Sequence, residues 1–193
     1  MSIFEQAIHD ATATIESLRP LEAMHERVAE IVGRCLKNGG KLLVCGNGGS
    51  AADASDFATE FACRFVADRR PYPALNLTAC GSLLTAIGND YGYDEVFARQ
   101  VHAFGQKGDV FLAISTSGNS RNILSAIAAA NIAGLDTIAL LGRDGGRARG
   151  LAGVELIVSS TITARIQEAH KFLLHVLCEI VEEKWLLPKP DVR

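Results

Sequence analysis

Three short loops in this 193-residue chain carry the residue types that hold anions and sugars. The first is Gly46-Asn47-Gly48-Gly49-Ser50, between a short apolar run and a helical stretch. Glycines there let backbone N–H groups approach an anion at a helix start, and the Ser50 hydroxyl can cap that helix. A tight strand-to-helix turn with nothing bound is the competing reading. The loop is neither Gly-x-Gly-x-x-Gly nor a Walker loop, since no Lys-Ser/Thr follows, which removes support for a dinucleotide or a nucleoside triphosphate. The second loop, Ser115-Thr116-Ser117-Gly118-Asn119-Ser120, sets four hydroxyls around a glycine at the positive end of a helix. That composition makes a phosphate cradle without a lysine, whereas a helix cap accounts only for Ser120. The third, Gly88-Asn89-Asp90-Tyr91-Gly92, offers Asn89 and Asp90 either to sugar hydroxyls or to an Asx turn.

Acid–base candidates follow the first loop and close the chain. Asp56 and Glu60 are four residues apart, hence on one helix face amid Phe57, Phe61 and Phe65. Carboxylates at that spacing repel unless a cation or a proton separates them or both face solvent. Near the C-terminus, Gln167 and His175 are eight positions apart, two turns along with a rotation of about 80°, so both can face one cleft. Spacing does not choose His175 over His170. His9, His25 and His102 have no evident partner.

The elements that must position these residues show in the hydrophobic pattern. The first forty residues read as two helices, stopped at Pro20 and Gly39, the first with a thin apolar stripe suited to packing on another subunit. Five short apolar runs follow, Leu42–Cys45, Ala74–Leu77, Val110–Ile114, Thr137–Leu141 and Val154–Val158. Between them lie amphipathic stretches at Ser50–Phe65, Gly81–Ile87, Asp94–Phe104 and Ser120–Ala133, and a long helix from about Thr163 to Trp185 ends the pattern. This alternation predicts one α/β domain over residues 1–193. Its doubly wound, five-stranded parallel sheet spans residues 41–193 with the long C-terminal helix, and residues 1–40 form an N-terminal helical hairpin. Open sheets of this kind bind ligands at the carboxyl ends of their strands, where the first two loops fall.

Composition narrows the partners. A net charge of −3, with no basic cluster beyond Arg69-Arg70, argues against nucleic acid. No apolar run is long enough for a membrane span, and Met1–Glu5 lacks a basic-then-apolar leader. Cys35, Cys45, Cys63, Cys80 and Cys178 are odd in number, without a Cys-x-x-Cys pair, and read as reduced core thiols of a cytoplasmic protein.

Taken together, the blocks Cys45–Ala54, Ala86–Phe97, Gly108–Ala130 and Arg165–His175 resemble the sugar isomerase (SIS) domain family, whose fold is flavodoxin-like, and within it the phosphoheptose isomerase branch. The resemblance implies conversion of sedoheptulose 7-phosphate to D-glycero-D-manno-heptose 7-phosphate through an enediol, for bacterial surface-glycan precursors such as those of lipopolysaccharide. It implies that Asn47, Gly48, Gly49, Asn89, Asp90 and Gln167 contact substrate, that Ser115, Thr116, Ser117 and Ser120 hold its phosphate, and that Glu60 and His175 exchange protons. It implies a zinc site as well, in which Glu60, Gln167 and His175 match three ligands and Asp56 stands where most relatives have His. A carboxylate is itself a zinc ligand, so zinc is expected still to bind. Relatives form homotetramers with active sites at subunit boundaries.

Two alternatives share these motifs. One is a non-catalytic SIS protein that binds the replication initiator DnaA, which the Arg165–Glu168 block and the Leu187–Asp191 tail also resemble. It lacks the acid–base pair that Glu60 and His175 match. The other is a SIS isomerase or sensor for a different sugar phosphate.

Overall fold

Each expected apolar run forms a strand in the computed structural model, which describes residues 1–187. The N-terminal helix α1 (Ile3–Glu16) starts at a capping box, in which the Ser2 hydroxyl accepts the Glu5 N–H and the Glu5 carboxylate accepts the Ser2 N–H. A 3-10 turn at Arg19–Leu21, opened by Pro20, leads into α2 (Glu22–Lys37). Both helices rest on the C-terminal helix α7 (Thr163–Val181), and the Arg165 guanidinium donates to the Ala7 carbonyl at 2.7 Å. The outward side of α1 leaves Ile3, Phe4 and Ile8 exposed, in keeping with its thin stripe.

The strands β1 (Leu42–Gly46), β2 (Ala74–Asn76), β3 (Val110–Ser115), β4 (Asp136–Gly142) and β5 (Val154–Val158) form one parallel sheet in the order β2-β1-β3-β4-β5. Alternate side chains enter two separate apolar layers. Leu42, Val44, Leu112 and Ile114 pack beneath α2, α7 and α3 (Gly49–Ala62), with Phe57 and Phe61 in the same layer. Leu43, Cys45, Phe111 and Ala113 pack on the opposite side under α5 (Ala98–Phe104) and α6 (Arg121–Ile132), with Val96, Phe97 and Ile127. Each large side chain so buried contributes about 1.5–3 kcal/mol. Burial on both faces is the reason the strands read as continuous apolar runs.

Several boundaries depart from the expected ones. The helix α4 (Gly81–Tyr91) continues past Ile87, so Asn89 and Asp90 lie in its last turn and not in a loop. The fifth helix starts at Ala98, after a 3-10 turn over Tyr93–Glu95. Ser50 does not cap α3: Gly48 is the N-cap, and Ser50 is buried inside the first turn. Cys35, Cys45 and Cys178 are buried thiols as expected, but Cys63 and Cys80 are exposed where they flank helices. No described helix is long and apolar enough to cross a membrane. The Leu187–Asp191 tail falls, from residue 188 on, outside the described residues.

The third helix stops at Ala62, short of Phe65, where a buried ion pair takes over. Arg69 donates to the carbonyls of Glu60 and Phe61 at the end of α3, and its Nε meets Glu182 at 2.7 Å. Glu182 lies in a π-helical turn (Glu182–Leu186) after α7 and also accepts the N–H groups of Val66 and Ala67. Burial pushes its carboxyl up, but the bonds from Ala67, Arg69 and Val66 outweigh it and hold the group below the usual carboxylate range. The folded value therefore lies below the unfolded one. The stabilisation is complete above the unfolded pKa and is lost as pH falls through the folded pKa. Glu182→Gln leaves the Arg69 charge uncompensated and should cost about 3–5 kcal/mol. Urea titration should show this loss at neutral pH, with the gap to wild type narrowing on acidification; equal stability at neutral pH would contradict it.

Candidate functional site

Strand order decides where the site forms. Between β1 and β3 the chain leaves the sheet toward opposite faces, and the crevice at that switch point is walled by the loops after these two strands. After β1, Gly48 takes φ +56° and α3 begins at Gly49. A Cβ at Gly49 would collide with the Gln167 amide, so the Gln167 side chain lies directly against the glycine loop, which the sequence did not show. Asn47 bridges the crevice. Its amide exchanges two bonds with Asn122, at 3.0 and 2.9 Å, and its oxygen also accepts the Tyr93 hydroxyl at 3.0 Å. Asn122 and Tyr93 lie outside the three loops and the acid–base candidates. A buried asparagine two residues after Ser120, on an otherwise apolar helix face, was the available signal.

The loop after β3 is held from within. The Ser115 hydroxyl accepts the Gly118 N–H, and the Ser117 hydroxyl accepts that of Asn119. Each hydroxyl keeps its own O–H to donate outward. Ser120 is the N-cap of α6 by position, yet its side chain makes no capping bond, so capping does not account for this serine. The first-turn N–H groups of α6 add donors of the kind that hold an anion. Gly118, at φ +62°, sits against the Gly145 carbonyl where no Cβ fits. The Asn119 oxygen accepts the Arg147 N–H, tying the loop to the turn after β4. A cavity of about 710 Å³ opens beside Asn119, lined in part by Arg143, Asp144, Ser159 and Ser160. Arg143, at φ +61°, is the one non-glycine residue in the left-handed region among the described residues, and the sequence did not single it out.

Helices α3 and α7 run alongside each other in one direction, and contacts along them set their register. Gln167 meets Gly49, Lys171 meets Asp53 and Asp56, and the His175 ring lies 5.8 Å from that of Phe65. Glu60 is partly buried, and its charge helps to push the buried Cys178 thiol up, after burial itself. The two histidines of α7 differ in burial. His170 is fully buried, its Nε2–H donates to the Leu141 carbonyl at 3.0 Å, and burial lowers its pKa; His175 is exposed. His25, expected to lack a partner, is also buried and donates to the Leu173 carbonyl at 2.8 Å.

One expected grouping is not formed, and one pair lies on a helix where a loop was expected. Asn89 and Asp90 are exposed on α4 and bond each other, the amide to the carboxylate, at 2.8 Å. Asp56, Glu60, Gln167 and His175 do not converge as metal ligands. Among the described residues no three His, Cys, Asp or Glu side chains come together to hold an ion. Lys171 takes up Asp56: its ammonium stands 2.5 Å from Asp56 and 3.0 Å from Asp53. Burial favours a neutral amine there, but the two carboxylates win and push the lysine pKa up. A cation already neutralises the acidic face, and as placed these residues do not fit a zinc ion.

Residues 7–142 match the SIS domain family. A phosphoheptose isomerase of Coxiella burnetii is 48% identical over 97% of this chain and 94% of its own length. Among solved structures, a phosphoheptose isomerase from Francisella tularensis superimposes with a TM-score of 0.86 at 40% identity, covering 94% of this chain and 95% of that one. Phosphoheptose isomerase GmhA from Neisseria gonorrhoeae gives 0.83 at 44% identity, covering 93% and 95%. With likeness extending over nearly the full length of sequence and fold, and with the hydroxyl loop set at the switch point, this chain belongs to the SIS-domain family and, within it, to the phosphoheptose isomerases.

Proposed function

We propose that this aldose–ketose isomerase converts D-sedoheptulose 7-phosphate to D-glycero-D-manno-heptose 7-phosphate, with Glu60 and His175 as its acid–base pair. The observation that carries the reading is the loop Ser115–Ser120, whose hydroxyls and helix-start N–H groups suit a phosphate, beside the α3–α7 face bearing Glu60, Gln167 and His175. Glu60 takes a proton from C1 of the ketose, the C2 carbonyl becomes an enediol, and the proton returns to C2 as the C1 aldehyde forms. His175 carries the accompanying proton from the C1 oxygen to the C2 oxygen. Asn47, Gly48, Gly49 and Gln167 line the same crevice and orient the sugar, with Asn89 and Asp90 on the neighbouring helix end. No step is assigned to zinc, because Lys171 occupies the acidic face where Asp56 was expected to bind it.

The same reading takes the chain to be a cytoplasmic homotetramer that supplies heptose precursors for surface glycans. Its support is the exposed apolar side of α1 (Ile3, Phe4, Ile8), a second exposed aromatic at Phe172 on α7, and five unpaired thiols. Sedimentation velocity should give a tetramer, and a fully active monomer would contradict sites shared between subunits.

Glu60→Gln and His175→Ala should each lower turnover of sedoheptulose 7-phosphate by about 100-fold or more, followed as deuterium uptake from solvent by NMR. Near-normal turnover by either variant would remove that residue from the mechanism. Ser120→Ala should raise KM by about tenfold, the worth of a hydrogen bond to a charged group, with a smaller change in kcat. It should weaken competitive inhibition by inorganic phosphate in parallel; unchanged inhibition would place the phosphate elsewhere.

A further inference from the structure

The face shared by α3 and α7 is built around a fixed internal cation. On α7, Gln167, Lys171 and His175 follow one another at four-residue steps and so form one row, with the lysine between the other two. On α3 the facing row carries Asp53, Asp56 and Glu60. The Lys171 ammonium touches both aspartates, at 3.0 and 2.5 Å, and its side chain is only 28% exposed. Asp53 is buried, and its second carboxylate oxygen is buried without a hydrogen-bond partner among the described residues. Lys171 therefore cannot swing away without leaving that buried carboxylate uncompensated. A dication bound by Asp56, Glu60, Gln167 and His175 would have to enter beside the ammonium, against like-charge repulsion, and would lose Asp56 as a free ligand.

We infer that in this chain the Lys171 ammonium takes the place of a divalent metal between α3 and α7, so that the isomerase works without one. This rests on the isomerase reading above. Lys171 acts as a positioning residue: it holds Asp53 and Asp56 neutralised and keeps the face between Gln167 and His175 closed to a dication.

The test compares zinc content and metal dependence in the intact protein. Wild type purified with added zinc and dialysed without chelator should retain about a tenth of a zinc per subunit or less by elemental analysis, and EDTA should change its turnover less than about twofold. Lys171→Met frees the aspartates and should bind zinc at least about tenfold more tightly than wild type by calorimetry, while Lys171→Arg, which keeps the charge, should not. One zinc per wild-type subunit after dialysis, or turnover lost to EDTA, overturns the inference. So does a Lys171→Met variant with wild-type circular dichroism and sedimentation but no gain in zinc affinity. If that variant does not fold, the wild-type zinc content and EDTA response decide alone. Wild type that fails to turn over sedoheptulose 7-phosphate would instead overturn the isomerase reading, and the zinc contrast between wild type and Lys171→Met would still judge the lysine.

Discussion

The strand order of the parallel sheet is the constraint from which the site follows. With β1 flanked by β2 and β3, the chain must leave β1 and β3 on opposite faces, and no helix can cover the gap between their carboxyl ends. The two loops that border this gap are the ones rich in glycine and hydroxyls. Their composition is what an uncovered gap between two helix starts can use: close backbone approach on one side, O–H donors on the other, and positive helix ends on both. Asn47, Asn122 and Tyr93 tie the two walls together, so that the crevice has a set width before any ligand arrives.

A second layer of organisation keeps α3 and α7 in register. Arg69 and Glu182 bind the end of α3 to the turn after α7, while Gln167 rests on Gly49 at the other end. Between these fixed points the side chains sort by burial. His25 and His170 spend their ring N–H groups on backbone carbonyls and serve the packing, leaving His175 in contact with solvent. The acidic residues on α3 repel one another in isolation, and the structure answers that repulsion with a lysine from the facing helix. The absence of a basic surface cluster is consistent with this economy. The loop after β3 presents hydroxyls and N–H groups in place of lysines, and the one lysine on the α3–α7 face is already committed.

Much of this was legible in the sequence, and the reasons are local. The five strands showed as apolar runs because both faces of the sheet are covered, and β5 was read at its observed limits, Val154–Val158. The hydroxyl-rich loop after β3 stood out because Ser115, Thr116 and Ser117 are consecutive in the chain. A distant group sets one boundary: α3 ends at Ala62, short of the expected Phe65, where Arg69 takes its last carbonyls. The helix α4 runs past the expected Ile87 to Tyr91. Family likeness, and not spacing, singled out His175 over His170, and only burial separates them physically.

The sequence by itself determined what depends on periodicity and on neighbours along the chain: a doubly wound α/β fold, two turns rich in glycine or hydroxyls after strands, and two carboxylates on one helix face. The tertiary structure alone decided what depends on which side chains meet across 70 to 120 positions, for an atom's partners are set by how helices pack and not by the residues beside it. It joined Asn47 to Asn122 and Glu182 to the loop after α3. It also turned Asp56 from an expected zinc ligand into the partner of Lys171, because an ammonium brought within hydrogen-bonding distance by helix packing takes the place that a free carboxylate would offer to a metal.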